Sequence, residues 1–214
     1  MKRIDVKDVT VIRKDKILCT HVNFSINEND YVALMGANGS GKTTLLRVIL
    51  GVIQPFTGQI LVEGEKNFDN DKTGIIHQHD SLSDYLTVKQ YMKLECKLAH
   101  ADKNYCEYLA EYMKLTEWMN KDIAKLSYGT KRKLSLWKAL IKKPELLLMD
   151  EPTTGLDENI KEQVWDILLE LKKKGTTAII ATNSEEEAIR LCNRLLYLEN
   201  QTIKEKSLLT LRDK

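Results

Sequence analysis

A chain of 214 residues, 43% of them apolar and 30% charged with both signs represented, is long enough to bury a sizeable core in one domain with a subdomain. At this length no second catalytic domain is expected, and a formal charge of +2 sets up no global field toward nucleic acid or an anionic membrane. Cys19, Cys96, Cys106 and Cys192 lack CxxC spacing, which suits packing residues in a reducing cytosol better than a disulfide framework or a zinc site. The first residues carry no apolar leader, and no run approaches the roughly 20 apolar residues that span a bilayer, so any membrane role is expected through a partner.

In chain order, residues 3–6, 22–26 and 31–35 read as strands, the second with clean alternation. The third feeds Gly36, Ala37, Asn38, Gly39, Ser40, Gly41, Lys42 and Thr43, the string GANGSGKT, after which Thr44 opens a stretch of helical spacing over 44–50. The string meets every positional demand of a phosphate-binding loop. Its backbone N–H groups and the positive end of the following helix dipole are aimed at phosphate oxygens. Lys42 would reach the β- and γ-phosphates of ATP, and Thr43 would offer its hydroxyl to Mg²⁺.

Gly51 and the turn 55–58 punctuate the chain before a strand over 59–63. From about 87 to 143 the pattern turns helical, with Thr87 as an N-cap for 88–94 and further helices over 103–114 and 131–141. Strands resume at 145–149 and 176–181, separated by a helix over 159–174 that ends in three lysines and Gly175, cations and a glycine at its negative end. The pattern describes an α/β nucleotide-binding core, about 1–77 and 144–206, a helical insert over 78–143 and a C-terminal tail over 207–214. There is no internal repeat.

The apolar run 146–149 ends in Asp150, Glu151 and Pro152. An acidic pair at a strand end is often only a solvated turn; downstream of a phosphate loop it reads as a second metal-binding strand, with Asp150 on Mg²⁺ and Glu151 as the base for an attacking water.

The order GANGSGKTT, Gln78, Leu126-Ser-Tyr-Gly-Thr130, LLLMDEP and Thr154-Gly-Leu-Asp157 resembles the ATP-binding subunit of ATP-binding-cassette transporters over roughly 4–198. The resemblance implies a P-loop NTPase core with a mixed β-sheet, an antiparallel β-subdomain and an inserted helical subdomain. It places Gln78 at Mg²⁺ and the attacking water. It places Ser127 and the N–H of Gly129 against the γ-phosphate bound to a second subunit, with Asp157 facing that subunit; Asp157 also reads as an N-cap. Lys131, Arg132 and Lys133 beyond the signature read as a solvated basic face rather than a nucleic-acid patch. His77 and His79 flank Gln78 without a third metal ligand nearby.

Three positions depart from the family. Tyr128 and Thr130 stand where the signature has a glycine and a glutamine, and a tyrosine adds bulk near the dimer seam. Asn183 stands where a histidine contacts the γ-phosphate; an amide donates a neutral hydrogen bond but carries no proton or charge, so hydrolysis is expected to be slow. No aromatic is available for adenine; Arg13 stacks on the base or Ile12 packs against it.

The resemblance therefore implies a cytoplasmic ATPase that dimerises around two ATP molecules and drives a separate permease at the inner face of the membrane, an exporter of peptide, antibiotic or drug. Two alternatives stay open: a haem-export ATPase of cytochrome c maturation, and a nucleotide-gated binding module with little turnover. A cassette ATPase working on DNA or ribosomes fits the length less well.

Overall fold

The computed structural model describes residues 2–65, 72–78 and 82–211; His79 and the last three tail residues lie outside them. β1 (Lys2–Arg13) and β2 (Lys16–Asn27) form a hairpin whose tip residues, Lys14 and Asp15, have φ of 48° and 60°, as a tight two-residue turn requires. β4 (Thr57–Val62) joins the other edge of β1 to give an antiparallel sheet in the order β2-β1-β4. Both hairpin strands run well beyond the cores predicted at 3–6 and 22–26. Register shifts between Val6 and Val9 and again to Val11 break the period-two pattern that marks a strand in sequence.

The second sheet takes β3 (Tyr31–Gly36), β5 (Thr73–Ile76), β6 (Leu146–Asp150), β7 (Thr177–Ala181), β8 (Arg194–Glu199) and β9 (Thr202–Lys206) in the order β5-β6-β7-β3-β8-β9. The first five are parallel and β9 is antiparallel, so the sheet is mixed as expected. Every residue of β3, β6 and β7 is buried, because both faces are covered. Val32 and Leu34 face α1 (Lys42–Ile49) and the inner side of the three-stranded sheet. Tyr31, Ala33 and Met35 face a core shared with α5 (Glu158–Lys173) and α6 (Glu185–Leu191).

Between β5 and β6 the described residues form α2 (Val88–Leu98), α3 (Lys103–Tyr112), two short 3-10 turns and α4 (Tyr128–Leu140). Thr87 caps α2 as its sequence predicts, in a reciprocal pair with Gln90. The solvated basic face read from Lys131, Arg132 and Lys133 is corrected at the last two; Lys131 is partly exposed and pairs with Asp84 at 3.1 Å. Arg132 is 1% and Lys133 6% exposed, because α4 is packed round most of its circumference, from Gly129 and Thr130 through Trp137 to Leu140. Burial also holds the Lys133 amine below the usual lysine range. All four cysteines are free; Cys19, Cys106 and Cys192 are buried and Cys96 is partly so.

The parallel strands bring their C-terminal ends to one edge of the sheet. There β3 runs into Gly36, β5 into Gln78, β6 into Glu151 and β7 into Asn183. An open α/β sheet binds ligands at such an edge.

Candidate functional site

Among the described residues, five of the six α-helices begin on a side-chain cap: Thr87, Asp102, Ser127, Asp157 and Ser184 each accept a backbone N–H of the first turn. α1 does not. Its N-cap is Gly41 at φ 113°, with no side-chain acceptor, so the orphan N–H groups and positive dipole end of this helix are left for an outside anion. Ser40 Oγ is buried without a hydrogen-bond partner, and a Cβ at Gly39 (φ 74°) would meet nothing within 4 Å. A bare helix start, an orphaned hydroxyl and an open main-chain face fit a polyphosphate.

This loop lines an open cleft of about 520 Å³ together with Gln78, Glu151, Thr154, Asn183 and Leu18. Lys42 is 7% exposed, and its ammonium donates to Gly36 O at 2.7 Å, Ala37 O at 3.2 Å and Asn183 Oδ1 at 2.9 Å. Burial lowers its pKa, while Glu151 and Asp150 pull it back up. Asn183 Nδ2 donates to Asn38 Oδ1 at 2.7 Å and to Glu151 Oε1 at 3.1 Å, and Gln78 Nε2 donates to Glu151 Oε2 at 3.1 Å. The Asn183 amide is thus oriented by charge: oxygen to the ammonium, nitrogen to the carboxylate. Thr43, Gln78 and Asp150 line an adjoining cleft of about 310 Å³. Hydroxyl, amide and carboxylate oxygens are the hard donors that suit Mg²⁺.

The remaining predicted residues lie elsewhere. Arg13 ends β1 at the exposed hairpin tip and does not line the cleft; Leu18, one strand over, does, with its Cβ 3.3 Å from where a Cβ on Gly41 would sit. Nothing in the sequence distinguishes Leu18 from any other partly buried apolar strand residue. Ser127 caps α4 by accepting Thr130 N at 3.2 Å, and its hydroxyl lies 2.9 Å from that of Thr130. Gly129 packs against α5, where a Cβ would lie 2.5 Å from the movable end of the Ile160 side chain. Tyr128 is half exposed, and its ring leans over Gly155. Neither Ser127 nor Gly129 lines the cleft of its own chain. Asp157 caps α5 by accepting Ile160 N at 3.0 Å.

The fold is that of a P-loop NTPase: a glycine-rich loop between strand and helix, with a carboxylate pair at the end of a parallel strand two places away in the sheet. Residues 19–154 match the family model for ABC transporters, and the chain belongs to that family. It is 36% identical over 208 residues to Nod factor export ATP-binding protein I of Rhizobium etli, covering 93% of this chain and 66% of that protein, just under two thirds of its length. The ATP-binding subunit of an ABC transporter superposes with a TM-score of 0.86 at 25% identity, over 98% of this chain and 92% of that one. A dimeric bacterial ABC transporter cassette superposes at 0.84 and 25%, over 96% and 98%. Among the described residues no helix is long and apolar enough to cross a membrane.

Proposed function

We propose that this chain binds and hydrolyses Mg-ATP as one half of a dimeric motor that drives a separate membrane permease. The observation that carries the reading is the Glu151 carboxylate, held by two amides beside a helix start that no side chain among the described residues caps. Lys42 and the loop N–H groups hold the triphosphate, Asn183 contacts its γ end, and Glu151 accepts the proton of a water that Gln78 orients. Thr43, Asp150 and Gln78 would hold Mg²⁺, which would supply positive charge against the phosphates.

The exposed Ser127 lies outside the cleft of its own chain, which supports a partner's triphosphate as the group it meets. ATP between two such faces bridges the subunits, so binding favours the closed dimer and hydrolysis releases it. A second cleft of about 460 Å³ between β5 and the pair α2 and α4 includes Tyr91, Leu98 and Ile141 in its walls. A permease segment seated there would press on the strand that runs into Gln78. The export named for the Rhizobium relative supports an exporter.

Asn183 favours a second reading, a nucleotide-gated module with little turnover, because a neutral amide stabilises developing γ-phosphate charge less than a cation does. Purified chain with saturating Mg-ATP separates the two. Phosphate release with ATP-dependent dimerisation supports the motor, and dimerisation without release supports the module. Asn183→His is expected to raise the single-turnover rate about tenfold, equivalent to about 1.4 kcal/mol of transition-state stabilisation. A histidine variant no faster than wild type, with or without permease, would mean that Asn183 already holds the productive geometry.

A further inference from the structure

Arg132 lies on α4 almost without solvent contact, yet it reaches two loops of the nucleotide-binding core. Its Nε donates to Pro152 O at 2.8 Å, its Nη1 to His77 O at 2.6 Å, and its Nη2 to Glu151 O at 2.8 Å and Asp150 O at 3.2 Å. One guanidinium therefore fixes the peptide that precedes Gln78 and three successive peptides around Glu151. Only a planar fork with several fixed donors spans such a set; an ammonium is a single point.

The Glu151 main chain needs holding. Its φ is 48°, a left-handed conformation that costs a side-chain-bearing residue free energy and persists only when its surroundings determine it. The two sides of that residue are pinned by different elements: its N–H donates to Ala181 O at 2.8 Å, and its carbonyl accepts from Arg132. Released from Arg132, the peptide is free to relax toward φ < 0, which swings the carboxylate away from Gln78 and Asn183. Burying a guanidinium is costly, and here it joins the helix that begins at Ser127 to both residues that face the attacking water.

We infer that Arg132 is a positioning residue for hydrolysis, which sets the main chains of Glu151 and Gln78 from the signature helix. The inference rests on the reading of Glu151 as the base. Substitutions at Arg132 therefore lower kcat and leave ATP affinity alone, because Arg132 does not line the cleft that the phosphate loop forms.

The test measures phosphate release, ATP affinity and melting temperature for Arg132→Lys and Arg132→Gln, each alone and combined with Glu151→Gln. Arg132→Lys, which keeps the charge but not the fork, is expected to lose about three- to tenfold in kcat with KM and affinity within about twofold; Arg132→Gln, with fewer donors and no charge, should lose more than about tenfold. On the Glu151→Gln background the lysine substitution should cost less than about twofold more, since residues acting through one another are not additive. A folded lysine variant with wild-type kcat, a loss carried by KM, or full additivity with Glu151→Gln overturns the inference. Should the lysine variant fail to fold, the glutamine variant decides: kcat within about twofold of wild type overturns it. A Glu151→Gln protein that keeps wild-type turnover refutes the base assignment instead.

Discussion

Lys42→Ala is expected to remove most of the affinity for ATP. The ammonium is buried against two loop carbonyls and Asn183, contacts that phosphate oxygens would replace in the proposed reading. Losing a charge-assisted contact of this kind costs about 1.5–3 kcal/mol, roughly tenfold to more than a hundredfold in Kd. Calorimetric titration of ATP into both proteins measures it, and unchanged affinity removes Lys42 from the site. The wild-type dependence on pH has a definite sign. Burial lowers the pKa of the free amine, and a triphosphate beside it raises that pKa, so the charged form is the binding form. Affinity is therefore complete below the lowered pKa of the free protein and falls as pH rises through it toward the pKa of the complex. Lys42→Ala should lack this alkaline limb, and the same limb in the variant would assign it to another group.

Glu151→Gln is expected to abolish turnover while preserving nucleotide binding. An amide of the same shape keeps an acceptor oxygen for Gln78 or Asn183 but takes no proton from water. General-base catalysis contributes about 10²–10⁴-fold, and phosphate release should fall by that order. With ATP bound and not consumed, the closed dimer should accumulate and be visible by sedimentation. A variant that stays monomeric in Mg-ATP and releases phosphate at the wild-type rate would mean that Glu151 is not the base.

The chemistry of the site is written in local strings, and those strings were legible. A phosphate loop, a carboxylate pair after an apolar run and a signature segment each need particular residue types at fixed spacing. Thr87, Asp157 and the helix over 159–174 were legible for the same reason, since caps and helical periods are local. What was hidden depends on neighbours distant in sequence. β5, with Gly74 in its middle, and the short β8 and β9 carry too few residues to show a period, and α6 spans two turns. Arg132 looked solvated because a sequence shows its charge and not the carbonyls of 150, 151 and 152 that surround it. Leu18 reaches the cleft only because the hairpin folds over Gly41.

The bare start of α1 also bears on handling the protein. No side chain caps the first turn of this helix, so its leading N–H groups are donors for an anion. Small tetrahedral anions can pair with those donors without any base or sugar. Pyrophosphate, and more weakly orthophosphate, should protect the amides of 39–44 from hydrogen exchange and raise the melting temperature by mass action, about 2.7 kcal/mol of stabilisation at a hundred times the dissociation constant. Sulfate or phosphate in a storage buffer would then compete with nucleotide, and affinities compared across buffers would differ with the protein itself unchanged.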